Sequence, residues 1–235
     1  AVVNPMAPED QFRSLDQTLT PLPPVGANLK SAFEALLDQL FRHQFPAHPV
    51  FDGEVRPAVV KKVWPEVERA IASADERAPV GDRVLRQQIR SIADPVQLGR
   101  TGESHFVLLD HWRSHFLREQ AKTGVVCTVG KLRQWIDQPL AMGLPAEVQN
   151  LIILAFAGHT NRSFVRGNVP YLPGIDQMPD DLELREQTLP EPCDWEAACK
   201  RAAALFGLTI PTSRNAGNVA KLVEEVQAKA REARE

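Results

Sequence analysis

Several things are scarce in this sequence of 235 residues, and each absence excludes a class. No apolar run approaches the roughly 18 residues of a membrane-spanning helix; the longest, Leu151 to Ala157, has seven. A membrane partner is therefore not expected. Only three cysteines are present (Cys127, Cys193, Cys199), with no CxxC spacing, so neither a disulfide framework nor a zinc knuckle is indicated and a reducing, cytoplasmic setting is expected. Charge of one sign is also missing: 27 Lys+Arg against 30 Asp+Glu give a net of −3, unlike a polybasic nucleic-acid binder. Catalytic signatures are absent too. There is no GxxxxGK[ST] phosphate cradle, GxSxG elbow, HExxH or GxGxxG. The glycines of GRTGES (99–104) lack the lysine that would meet phosphate, and they read better as the cap of a following helix.

What is present is mostly helical pattern. Residues 1–26, with PMAP and PLPP, read as an extended arm. A helical region is expected over 27–98. Asn28 can cap a first helix whose Leu29, Phe33, Leu36, Leu37, Leu40 and Phe41 recur at three and four and predict one buried stripe. Pro46 and Pro49 end it, a second helix follows from Arg56 with a restart or kink at Pro65, and a third runs from Gly81 to before Pro95.

Residues 99–172 change character. SHFVLLDHWRSHFLREQAKTG predicts a helix of about five turns, stopped by Gly124, with Phe106, Leu109, Trp112, Phe116 and Leu117 inward. VVCTV is β-branched and predicts a strand. GKLRQWIDQ predicts a short helix capped by Thr128, and PAEVQNLIILAFAGH an apolar helix led by Pro145. SFVRGNVPYL predicts two strands turning at Gly167 and Asn168. Helix, strand, helix, helix, strand, strand is the order of a winged helix. The fold class expected is thus mainly α, multi-helical, with a central winged-helix-like domain and a short three-stranded sheet.

The remainder divides into an acidic linker, 173–192, and a C-terminal helical pair, 193–235. Residues 172–199 carry eight acids against the single base Arg185, a net of −7, while 101–171 sum to +2 and 200–235 to +3. The near-neutral total conceals unlike parts.

The chain carries two candidate chemistries. His111 and His115 lie four apart on one helix face, a metal-ligand spacing, but Trp112 stands where a zincin has its glutamate and no third ligand is identifiable; no metal site and no catalytic residue are expected. Cations are the better lead. Arg83, Arg86 and Arg90 form a helical stripe, Lys131 and Arg133 begin the first helix of the helix-turn-helix, and Arg162 and Arg166 sit on the wing, where phosphates are met in winged-helix complexes. Against base readout, the presumed recognition helix from Ala146 to Gly158 has no Arg or Lys, only Glu147, Gln149 and Asn150.

The blocks FRHQFPAHPVF, GRTGESHFVLLDHWR and TVGKLRQWIDQPLAMGLPAEVQNLIILAFAGHTNRSF, followed by NAGNVAKLVEEV, resemble the large phage-resistance ATPases of the phage growth limitation and BREX defence systems, of the PglY type. The resemblance runs from about Asn28 to Glu235 and rests on the order of motifs rather than on a catalytic signature. It implies that the chain lies outside the nucleotide-binding core of a much larger bacterial P-loop protein. The start at Ala1 without methionine, and the finish at Glu235 inside a charged helical run, fit the same expectation of a fragment. ATP and Mg²⁺ would then belong to the parent, with no cofactor here. The expected role is a non-catalytic module contacting other domains of the ATPase or other defence proteins, with nucleic-acid backbone as the alternative partner.

Overall fold

The computed structural model describes residues 15–23, 26–209 and 211–232. The fold is mainly α with two small antiparallel sheets. The chain forms two compact units: residues 1–49 with 136–144, and residues 50–135 with 145–235.

The smaller unit is built on helix α1 (Leu29–Gln44). Asn28 and Ser31 form a reciprocal cap in which the Asn28 carboxamide oxygen accepts from the Ser31 N–H (3.0 Å) and Ser31 Oγ accepts from the Asn28 N–H (3.2 Å). After the helix the proline-rich turn is held by the loop 136–144. Ala47 N–H donates to the Ala141 carbonyl (3.1 Å), His48 Nδ1 lies 2.7 Å from the Met142 carbonyl, and Gly143 sits under the Phe45 ring with φ +57°. The stripe on α1 departs from expectation. No residue of the helix is buried, and Phe33 and Leu37 are 58% and 46% exposed. A periodic stripe records an amphipathic helix but not what covers it. The extended arm expected over 1–26 lies largely outside the described residues; within it, Leu22 exchanges backbone hydrogen bonds with the Gln39 side chain.

The larger unit opens with α2 (Pro57–Ala72), one continuous helix through Pro65 that buries Val60, Val63, Val67 and Ala70. A first sheet follows, which the sequence pattern did not predict: β1 (Arg77–Pro79), β2 (Gly99–Thr101) and β3 (His105–Leu108), in order β1-β3-β2. Helix α3 (Arg83–Ala93), capped by Asp82 on the Val84 N–H (2.8 Å), lies between β1 and β2 in sequence. GRTGES is thus the β2–β3 hairpin rather than a helix cap. Gly99 has a role of its own there, since a Cβ at this position would stand 2.0 Å from the Phe106 ring. The five-turn helix expected from residue 104 divides at this point. Residues 105–108 alternate inward and outward as a strand, and only α4 (His111–Thr123) is helical, closed by Gly124 at φ +62°.

Helices α5 (Val129–Ile136) and α6 (Ala146–His159) follow, and then the hairpin β4 (Arg162–Arg166) and β5 (Val169–Tyr171). Gly167 (φ +53°) and Asn168 (φ +69°) make the two-residue turn in the conformation that matches strand twist. The expected strand at VVCTV reduces to one bridge, Thr128 to Glu183, beside a hydrogen bond from the Leu184 N–H to the Cys127 carbonyl (2.8 Å).

The third strand comes from the stretch expected to be a linker. β6 (Glu183–Glu186) pairs with β4, giving the order β5-β4-β6. Residues 173–192 are therefore a strap bound to the domain rather than a surface linker. Ile175, Met178, Leu182 and Leu184 are buried, and the Val129 and Gly130 N–H groups donate to the Leu182 and Asp180 carbonyls.

The core is centred on α6. Nine of its residues, from Val148 to Ala157, are buried, as expected of a helix apolar on every side. Phe156 meets Phe116 edge to face, with centroids 5.0 Å apart. The chain ends in α7 (Pro192–Phe206), stopped by Gly207 at φ +65°, and α8 (Ala216–Glu232). These two share a small apolar cluster of Trp195, Ala202 and Leu222. No helix of the described residues is long and apolar enough to cross a membrane.

Candidate interaction surfaces

A densely bonded polar site in the larger unit joins the C-terminal end of α2 to the start of α8. A helix end leaves carbonyls without intrahelical partners, and those of Ile71 and Ala72 are met from 140 residues further along the chain. Asn218 Nδ2 donates to the Ala72 carbonyl (3.0 Å) and to the Ser213 carbonyl (2.8 Å). Ser213 Oγ also donates to Ala72, and Asn215 Nδ2 reaches the Ile71 carbonyl (3.3 Å). The same asparagines order α8 itself, because Asn215 Oδ1 accepts from the Asn218 N–H (2.8 Å). A third asparagine completes the clasp. Asn161, held at φ +53° after α6, accepts the Ala216 N–H on Oδ1 (2.8 Å) and the Gln187 N–H on its carbonyl (2.9 Å). Asn218 is only 2% exposed, and removing its carboxamide would take this donor from the Ser213 carbonyl and leave the Ala72 carbonyl with Ser213 Oγ alone.

The seven cations singled out in the sequence do not form one surface. Arg162 points inward with its side chain 4% exposed. Its guanidinium lies over the Phe156 ring, 5.3 Å from the centroid, and Nη2 donates to Glu186 (2.8 Å). Arg133 is committed to the strap, donating to Asp180, to the Met178 carbonyl (2.9 Å) and to Asn150 Oδ1 (2.7 Å). The Nε of each has no partner among the described residues. Arg86 donates to the Val80 and Gly81 carbonyls, and Arg90 to the Thr101 carbonyl. Arg166 pairs with Asp181 (2.8 Å) and Lys131 bonds Gln134 (3.1 Å), while Arg83 is exposed. The presumed recognition helix is α6, whose burial leaves it no face to lay in a groove.

The histidine pair is likewise structural. His115 is buried, with Nε2 2.7 Å from the Trp135 carbonyl and Nδ1 3.1 Å from Arg118 Nη2. A carbonyl accepts and a guanidinium donates, so the ring carries its proton on Nε2 and both nitrogens are engaged. His111 stacks on it at 6.4 Å, and partial burial first, with the nearby Arg118 guanidinium adding to it, holds the His111 pKa below the usual value. Among the described residues no group of three or more His, Cys, Asp or Glu is placed to hold a metal ion. Burial pushes the Cys127 and Cys199 thiols up, which opposes the thiolate a nucleophile requires.

Asparagines 161, 215 and 218 were not singled out by sequence reasoning. The signal available was the motif NAGN at the head of an amphipathic helix, which carried the family resemblance and reads locally only as a cap.

Comparison with known families gives three matches. Residues 58–157 match the family described as BREX System ATPase PglY protein 5th domain, residues 199–235 match the 6th domain of that protein, and residues 1–45 match the PglY fourth domain. No solved structure matches the chain. The clasp thus links Ile71 and Ala72, inside the fifth-domain match, to Ser213, Asn215 and Asn218, inside the sixth.

Proposed function

Because this chain belongs to the PglY-type BREX ATPases, as a run of their fourth, fifth and sixth domains, we propose that it is a non-catalytic module of the phage-defence protein that fixes domains relative to one another and offers surfaces to protein partners. The observation that carries this reading is the clasp, in which two matched stretches are joined by part-buried side-chain-to-carbonyl hydrogen bonds. ATP and Mg²⁺ act elsewhere in the parent protein on this reading, and the module works in the cytoplasm. Helices α4 to α6 with β4, β5 and β6 form a winged-helix-like unit in which β6, from the acidic strap, fills the place of the strand before the second helix. A wing built this way serves packing, because Arg162 holds β4 to Phe156 and Arg166 is tied to Asp181.

Two assays on the chain test the reading. With ATP and Mg²⁺ the purified chain should show no hydrolysis above buffer; turnover that a substitution in this chain abolishes would overturn it. In a mobility-shift titration with duplex and single-stranded DNA at two salt concentrations, binding should be weak. Tight binding with a steep salt slope, lost in an Arg83→Ala/Lys131→Ala/Arg166→Ala variant, would favour contact with nucleic-acid backbone instead.

A further inference from the structure

Residues 46–57 join the stretch that matches the fourth domain to the stretch that matches the fifth, and they contain Asp52–Gly53. This is the one place in the sequence where an aspartate or asparagine precedes a glycine. The side-chain carboxyl of an aspartate can close a five-membered ring on the backbone nitrogen of the next residue. A glycine there has no side chain to obstruct closure or to restrict the backbone. At every other aspartate or asparagine the following residue carries a side chain, and at Asn4 and Asp94 it is proline, which has no N–H.

We infer that Asp52–Gly53 is a site of spontaneous backbone isomerisation, which the fold leaves open to reaction. The Gly53 nitrogen attacks Asp52 Cγ, and the new N–Cγ bond closes a succinimide. The carboxyl hydroxyl and the N–H proton leave as water. A second water then opens the ring. Cleavage of the N–Cγ bond restores aspartate, whereas cleavage between the nitrogen and the Asp52 main-chain carbonyl carbon gives isoaspartate. The main chain then runs through Cβ and Cγ, one atom longer than before, and a free carboxylate stands on Cα. The mass is unchanged, and water is the only co-reactant. The change requires no partner and is independent of the non-catalytic role.

Three features of the structure leave the ring closure unhindered. Among the described residues the Gly53 N–H donates no hydrogen bond, so no ladder or turn holds the nitrogen back. Gly53 stands at φ +101°, outside helix and strand, and a Cβ built on it would meet nothing within 4 Å. Asp52 is exposed, and the bond that its Oδ2 accepts from Gln87 Nε2 is long, at 3.4 Å. Other aspartates are held more firmly. Asp94 accepts the Thr101 N–H and hydroxyl, and Asp82 caps α3. The consequence falls on the segment that leads into the fifth-domain match. Isoaspartate withdraws the carboxylate from Gln87 and inserts a main-chain atom shortly before α2 begins at Pro57.

The test follows the full chain at neutral pH and body temperature over several weeks. Electron-transfer fragmentation of its peptides locates isoaspartate, and a protein isoaspartate methyltransferase counts it by esterifying the freed α-carboxylate. Isoaspartate at position 52 should reach about tenfold or more its level at any other aspartate. An Asp52→Glu variant, whose carboxyl would have to close a six-membered ring, should lose that signal, with circular dichroism verifying its fold. A synthetic peptide spanning residues 47–57 should convert at a rate within about tenfold of the folded chain, because the fold holds neither the nitrogen nor the carboxyl. Four results would overturn the proposal: no isoaspartate at 52, a smaller margin over another aspartate, methylation retained in Asp52→Glu, or a folded chain slower than the peptide by more than that factor.

Discussion

The core around α6 and the terminal pair α7–α8 are both helical, and they are stabilised by different means. In α6 alone nine residues are buried, packed on α2, α4 and the second sheet. In α7 and α8 together the buried apolar side chains are Trp195, Ala202 and Leu222. Apolar burial contributes about 25 cal/mol per Å², so this term favours the core far more than the pair. The pair is joined to α2 by directional side-chain-to-carbonyl bonds. The contrast is between a joint made of directional hydrogen bonds and a centre made of apolar packing.

Damage to the centre should have the largest effect. Phe156→Ala removes the ring between Phe116 and Arg162 and should cost about 3–5 kcal/mol, seen as a single lower denaturant midpoint for every probe. Trp195→Ala deletes a comparable ring from the small cluster, along with its indole bond to the Thr212 carbonyl (2.9 Å). Its effect should be confined: α7 and α8 melt at a lower temperature while near-ultraviolet signals from Trp112 and Trp135 persist. A single shared transition would instead make the pair part of the core. The thiols give the finest comparison. Cys193 is exposed, Cys199 sits in the pair's cluster and Cys127 is buried in the larger core. Labelling with iodoacetamide should be fastest at Cys193 and intermediate at Cys199, which opens locally, and at Cys127 it should await global unfolding. Equal rates at Cys199 and Cys127 would remove the distinction.

Helical boundaries were legible in the sequence wherever a cap or a stop is local. Asn28, Gly124 and Gly207 act where their chemistry predicts, Pro145 precedes its helix by one position as the N-cap residue, and the Gly167–Asn168 turn falls where expected. The first sheet was not legible, because three- and four-residue strands flanked by helices leave too short an alternation, and FVLL continues the helical pattern of α4. β6 was hidden by charge: Leu182 and Leu184 alternate with Asp181, Glu183 and Arg185, a half-buried strand pattern that acid density disguised as linker. The family was legible because motif order survives where individual residues are unspecific. The cations were misleading for the opposite reason. Arg133 and Arg162 have the residue type of a phosphate contact, and whether such a side chain faces solvent or a carboxylate 24 to 47 residues away is decided by tertiary structure. The clasp escaped notice because its acceptors on α2 are remote from NAGN in sequence.

Hydrogen exchange on an Asn218→Ala variant tests the central claim most directly. The account predicts that amides of α7, α8 and the last turn of α2 exchange about fivefold faster or more, matching the loss of about 1–3 kcal/mol when the Asn218 amide no longer donates to the Ser213 and Ala72 carbonyls, while α6 and both sheets keep wild-type protection. Unchanged protection throughout, or a uniform loss across α6 as well, would contradict the view that the asparagine clasp is what fixes the sixth domain to the fifth.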